Sequence, residues 1–292
     1  MFPVLSQRLL IPIAALVGGM VWMWAAPAAM AADGSEGISL FDGQYGVIAT
    51  VLLVLLAALP AIALATVITA MGNPISGVFV LGVAMMFPAI YGGRTDGWLW
   101  RWGSPSAYWV LLAEMLVWAG ALLGVVVLME AARPPLRRGL PRLATEDHFG
   151  PGDLGLRWPD GKALIAGLIC AGVGGALATL LLAVSDTGQV MGALILAFGA
   201  GAVLTQSIVP QSNPLPMLLA PALLGMVAYA YVPLQYTSPD ALYAAWYDGR
   251  LWGPAMALPI HYAAAGLVGV TLGLGLAQAI DHSRVAPAAD TA

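Results

Sequence analysis

Charge is what this chain has least of. Its 292 residues carry 11 Lys and Arg and 15 Asp and Glu, 9% charged in all, against about a quarter in soluble domains. So few charges cannot solvate the surface of a water-soluble globule, and a net charge of −4 offers no basic face to a polyanion, which excludes nucleic acid as a partner. A single cysteine, Cys170, inside an apolar run, excludes an intramolecular disulfide and a cysteine metal cluster. Of three histidines, His148 and His282 are expected in the cytoplasm, which leaves only His261 for the membrane and rules out a bis-histidine haem there. The chain also lacks a Gly-x-x-x-x-Gly-Lys phosphate loop, a dinucleotide glycine fingerprint, His-Glu-x-x-His and Gly-x-Ser-x-Gly. No cofactor or metal is therefore expected, and soluble-type ATP, NAD, zincin and hydrolase chemistry has no support.

Apolar residues fill the space, at 60% of the chain. A spanning helix needs about 20 predominantly apolar residues because the hydrocarbon core is about 30 Å thick. Eight segments meet that requirement: 9–30, 47–70, 75–91, 107–130, 163–184, 189–209, 215–235 and 255–280. Their length, their Ala, Leu and Gly content and their lack of period-2 alternation predict helices rather than barrel strands. The expected fold class is an all-α integral membrane protein with eight transmembrane helices.

The cations set the expected orientation, since Lys and Arg are retained on the cytoplasmic side. With the N-terminus inside, Arg8, Arg133, Arg137, Arg138, Arg142, Arg157, Lys162 and Arg284 fall inside, and only Arg94, Arg101 and Arg250 fall outside, beside seven acidic residues. Both termini are then cytoplasmic, and the expected location is an inner membrane of bacterial type. Residues 1–32 would also suit a cleaved signal peptide, with Arg8, an apolar core and Ala29-Met30-Ala31. Retention is expected, because the segment has an internal counterpart that cannot be a signal.

That counterpart belongs to a set of landmarks that recur in the same order. Val17-Gly18-Gly19 answers Val173-Gly174-Gly175, Asp42-Gly43-Gln44 answers Asp186-Thr187-Gly188-Gln189, and Asn73-Pro74 answers Asn213-Pro214. Asp96-Gly97-Trp98-Leu99-Trp100 matches Asp248-Gly249-Arg250-Leu251-Trp252 at four of five positions, and Ala119-Gly120 with Gly124 answers Ala265-Gly266 with Gly269. The expected organisation is a first four-helix half at 1–130, a cytoplasmic linker at 131–162, a second half at 163–281 and a tail at 282–292. An even number of spans per half makes the repeat parallel, about an axis along the membrane normal. Pro134-Pro135, Pro141 and Gly150-Pro151-Gly152 argue against a folded domain in the linker. Asn73 and Asn213 are read as helix caps, each followed by Pro at the first helical position.

Ionisable side chains inside spans are costly and are the default functional candidates of a membrane protein. Glu114 and His261 qualify and fall within one position of equivalence in the repeat, so they are expected to approach across the fourth and eighth helices. Gly120–Gly124 and Gly269–Gly273 have the small-residue spacing that would let those helices close up. A carboxylate beside an imidazole can relay protons, hold a cation or bind a substrate hydroxyl or amine. A static hydrogen-bonded pair is the alternative. Gln206 is a further pathway candidate, with an interhelical hydrogen bond as its bland explanation. Trp98, Trp100, Trp102 and Trp252 could form an outer aromatic platform, against which stands the ordinary interfacial belt. The expected function is a small-molecule or ion permease. The alternatives are a non-transporting membrane subunit or assembly partner, and an intramembrane enzyme acting on lipid. Beyond the lipid bilayer, the expected partner is a small molecule or ion that the sequence does not name.

Overall fold

A computed structural model describes residues 2–30, 37–72, 74–92, 94–139, 159–210 and 213–285, with the side chains of 2–8, 92 and 281–285 excepted. Asn73, Asp33, Glu36, Ala31 and the linker residues Arg142, Glu146, Asp147, His148, Asp153 and Arg157 lie outside the described residues. Among those described, the chain is all-helical, with no strand. The helices are α1 (Phe2–Met23), α2 (Val47–Met71), α3 (Pro74–Gly92), α4 (Thr95–Trp102), α5 (Tyr108–Gly139), α6 (Gly161–Leu181), α7 (Thr187–Ile208), α8 (Leu215–Leu218), α9 (Ala220–Gln235), α10 (Pro239–Tyr247), α11 (Pro259–His261) and α12 (Leu267–Val285). Six stretches are long and apolar enough to cross a membrane: Val47–Met71, Pro74–Tyr91, Pro105–Gly139, Gly161–Leu181, Thr187–Ile208 and Pro259–Ile280. Leu9–Met23 and Ala220–Gln235 are shorter apolar helices. The chain is a polytopic membrane protein, with six candidate spans in place of the eight expected.

Local chemistry explains most helix starts. Asp160 caps α6 by accepting from Ala163 N at 2.8 Å, and Asp186 caps α7 by accepting from Gly188 and Gln189 N. Asn213 accepts from Leu215 N at 3.2 Å, as a cap should. Ser238 caps α10 with Pro239 in its first turn.

Three sequence expectations about element boundaries give way. The first helix ends at Met23 rather than residue 30, and a 3-10 turn at Ala26–Ala29 carries Pro27. Helix α5 runs through Pro134-Pro135 to Gly139, so this diproline does not start the linker. Arg137 anchors that end by donating from Nε to Ala70 O at 3.1 Å and from Nη2 to Gly72 O at 3.3 Å, which also satisfies carbonyls at the C-terminus of α2. The eight- and nine-residue helices α4 and α10 were not anticipated at all; each precedes a glycine of positive φ, Gly103 and Gly249, the conformation that ends helices cheaply.

The first three helices pack on one another, and α2 also meets α5; in the second half α6 packs on α7, α8 and α9, and α7 on α12. Between halves the contacts are exchanged, since α5 packs on α9 while α12 packs on α3. Close approach at α7 requires glycine. A Cβ on Gly269 would lie 2.6 Å from Ile195 O, and one on Gly273 would press against Gly199 O and Ala202. Gly120 and Gly124 have nothing within reach. The expected closure of α5 on α12 through paired glycines is therefore corrected, because only the α12 glycines are used, and they are used against α7.

Candidate functional site: buried carboxylate, imidazole and a hydroxyl-pinned loop

Glu114 sits on α5 with no solvent exposure. Its Oε2 accepts from Ser39 Oγ at 2.6 Å, and its Oε1 accepts from Trp118 Nε1 at 3.2 Å, one turn along the same helix. The backbone N–H of Leu40 also donates to the carboxyl. Both Ser39 and Leu40 belong to the segment after α1, of which residues 37–40 are buried. Two backbone bonds tie that segment down, Ser39 N to Ala29 O at 3.0 Å and Gln44 N to Met30 O at 2.9 Å. Thr50 Oγ1 donates to Ala28 O, and Arg101 pairs with Asp42 at 2.7 Å, so the loop is fixed from both sides. The carboxylate thus holds a loop over the helix bundle, and its nearest donors are neutral.

His261 lies at the end of α11, also without exposure. Its Nδ1 accepts from Leu258 N at 3.0 Å, the reach-back half of a capping box. A ring nitrogen that accepts is unprotonated, so the neutral tautomer places its proton on Nε2. That Nε2 is buried and has no hydrogen-bond partner. A π-helical turn, Tyr262–Gly266, follows at once, a distortion frequent at functional sites. The expected direct pairing of Glu114 with His261 is not made, because each satisfies a backbone or loop group closer in the fold.

Between these two groups runs a feature that the sequence did not disclose. Residues 253–258 are entirely buried yet not α-helical. In a membrane interior such backbone is tolerated only if protein satisfies it. Four successive carbonyls are satisfied by hydroxyls from four different elements. Tyr262 donates to Pro254 O at 2.6 Å, Tyr108 of α5 to Ala255 O at 3.4 Å, Thr95 of α4 to Met256 O at 2.5 Å, and Tyr229 of α9 to Ala257 O at 2.6 Å. The aromatic rings also form a file: Trp102, Trp98, Tyr108, Tyr229 and Tyr262 stand 6.3, 5.4, 6.2 and 6.1 Å apart, centroid to centroid. Only Trp102, at 39%, is exposed to any extent.

The expected tryptophan platform is divided by this arrangement. Trp98 is wholly buried. Trp100 stacks near Tyr243, Trp246 and Tyr247 of α10, and Trp102 donates to Asp42 at 3.1 Å. Trp252 lies against Tyr231 at 5.4 Å and donates to Thr179 Oγ1 at 3.0 Å. Gln206 is half-buried on α7. Beside Trp118 and Ile260 there is a void of about 10 Å³, near the lower limit for one water and lined by apolar residues such as Trp22, Ile38 and Val54. Larger cavities, of about 510, 470 and 390 Å³, open on the outer surface of the bundle, and neither Glu114 nor His261 lines them. Among the described residues no cluster of His, Cys, Asp and Glu could hold a metal.

Comparison with protein-family models, curated proteins and solved structures finds no match for this chain.

Proposed function

We propose that this protein is a non-transporting membrane subunit or assembly partner whose interior polar groups hold its own loops in place. The observation that carries this reading is Glu114, fully buried and satisfied at both oxygens by Ser39 and Trp118. A transport site must at some stage admit water or substrate to its polar groups, and an enzyme acting on lipid needs a cleft that reaches them; neither group borders the cavities described above. The absence of other cysteines makes the test direct. With Cys170 replaced by Ala, single cysteines at Glu114, His261 and Tyr247 are introduced in turn, and the protein in vesicles is treated with a small hydrophilic thiol reagent. The expected result is modification at Tyr247, which is 64% exposed, and protection at the other two positions. Modification at Glu114 or His261 comparable to that at Tyr247 rejects the proposal.

A permease is the second reading, favoured by the unpartnered Nε2 of buried His261 and by the exchanged packing of α5 on α9 and α12 on α3. That exchange is what a twofold relation between a 1–130 half and a 163–281 half requires. The short helices α4 and α10, each before a positive-φ glycine, support the same parallel 4+4 organisation. One asymmetry counts against it: α2 packs closely on α3, while α7 and α9 do not pack so. Counting α1 and the α8–α9 pair as spans gives eight, with both termini on the cytoplasmic side. The packing of α1 on α2 and α3, with Ala14, Ala15 and Trp22 in the core, supports retention of residues 1–32. Reporter fusions at each terminus test the topology, and an external C-terminus rejects it.

A further inference from the structure

We infer that the groove between α6 and α9 holds one acyl chain of an anionic phospholipid, with the phosphate at Lys162. Two of the surface cavities form this groove. One, of about 390 Å³, includes Leu164, Gly167, Pro216 and Met226, and the other, of about 470 Å³, includes Gly172, Thr179 and Trp252. They share Leu168 and Leu223, so they run on into each other along α6. From Leu164 to Thr179 the groove is about 22 Å long at 1.5 Å per residue, longer than one leaflet, which is about half of the 30 Å core.

The chemistry of the occupant is indicated by the other half of the chain. This step rests on the repeat proposed above, which serves only to name equivalent positions. The Val-Gly-Gly landmarks place Leu16 at the position of Gly172, and the Asn-Pro landmarks place Phe87 at that of Val227. In the first half the Phe87 ring lies directly against Gly19 and fills the angle between α1 and α3. In the second half Gly172 has open space beside it and Val227 is 51% exposed. Where one half supplies its own hydrocarbon, the other leaves a slot of the same kind.

The ends of the groove orient the lipid. Trp252, held by Thr179 and stacked against Tyr231, stands at one end. At the other end Lys162 is exposed half a turn before Leu164, and a lysine can reach along an apolar surface to set its ammonium at headgroup depth. An anionic headgroup complements that charge. A second copy of the chain would instead have to seat a helix about 10 Å across, too wide for a slot that a phenyl ring closes in the other half.

The test uses the full chain reconstituted in vesicles of phosphatidylcholine with a trace of phosphatidylglycerol bearing a photoactivatable diazirine on its acyl chain. Adducts are mapped by mass spectrometry. The expected result is concentrated labelling of residues 164–179 and 216–227, above that on the bilayer-facing Leu52, Leu55, Leu56 and Leu59 of α2. The double change Gly172→Leu and Val227→Phe, which copies the first half, should lower it to the α2 level; Gly172→Leu alone serves if the double variant does not fold. Lys162→Gln should remove the preference for the phosphatidylglycerol probe over a phosphatidylcholine one. Equal labelling of groove and α2 in the wild type, or unchanged groove labelling in a folded filled variant, overturns the proposal. So does chain-to-chain crosslinking that the filling abolishes, since it would assign the groove to a second copy. These readouts are independent of thiol accessibility at Glu114, so failure here and failure of the proposed function are told apart.

Discussion

Replacing Tyr229 by Phe removes one oxygen and nothing else. The ring keeps its neighbours, Tyr108 at 6.2 Å and Tyr262 at 6.1 Å, so no cavity larger than a hydroxyl is made. The loss falls on Ala257 O, a carbonyl in a buried non-helical segment. An orphaned buried acceptor costs about 1–3 kcal/mol, whereas hydrogen bonds between membrane helices average about 0.6 and reach about 1.7 kcal/mol because the disrupted state finds other partners. Ala257 is wholly buried, so it is expected toward the upper part of the membrane range, about 1–2 kcal/mol. At about 2–4 °C per kcal/mol for a chain of this order of size, the melting point should fall by about 2–8 °C. The measurement is reversible unfolding in mixed micelles, with Tyr247→Phe as an exposed control expected within about 0.5 kcal/mol of wild type. Tyr262→Phe orphans Pro254 O in the same segment, and the double variant should be non-additive by about 0.5 kcal/mol or more. If Tyr229→Phe is indistinguishable from Tyr247→Phe, the hydroxyls do not pin the segment and the reasoning fails.

Three further outcomes follow from the geometry. Glu114→Gln turns an acceptor into a donor facing Ser39 Oγ–H or Trp118 Nε1–H and should destabilise by about 1–3 kcal/mol; combining it with Ser39→Ala should cost less than the sum, and strict additivity in unfolding titrations contradicts the contact. Gly269→Ala should destabilise through its clash with Ile195 O, while Gly120→Ala, with open space around it, should be neutral or stabilising by up to about 1 kcal/mol; equal thermal shifts for the two would reject the assignment of close packing to α7 and α12. Arg137→Ala should release the carbonyls of Ala70 and Gly72, seen as faster amide exchange in the last turn of α2, and unchanged exchange there rules the cap out.

Composition and run length made the membrane, the all-helical class and most span positions legible, because burial in lipid is decided by stretches of about 20 residues. Caps at Asp160, Asp186 and Asn213 were readable for the same reason, each being settled within three residues. What failed was long-range. Glu114 was found as a costly buried group, but its donor Ser39 lies 75 positions away, and local spacing carries no such information. The two glycine pairs have identical spacing and opposite fates, since small residues permit an approach without naming the helix that makes it. The helices α4 and α10 are too short for a periodicity argument, although Ser238-Pro239 was a start signal that could have found the second. Tyr108, Tyr229 and Tyr262 passed as interfacial aromatics, and only the path of residues 253–258 reveals what their hydroxyls do.

The pinned segment also sets an order on biogenesis. Thr95 and Tyr108 are synthesised about 150 residues before Met256 and Ala255, the groups whose carbonyls they hold. The ribosome therefore delivers the first half to the membrane with these hydroxyls waiting, and they find their acceptors only when the last hairpin arrives. Completion of either half is contingent on the other. A chain severed within 140–158 retains every one of these contacts, so the two pieces made together should recover the fold that neither reaches by itself.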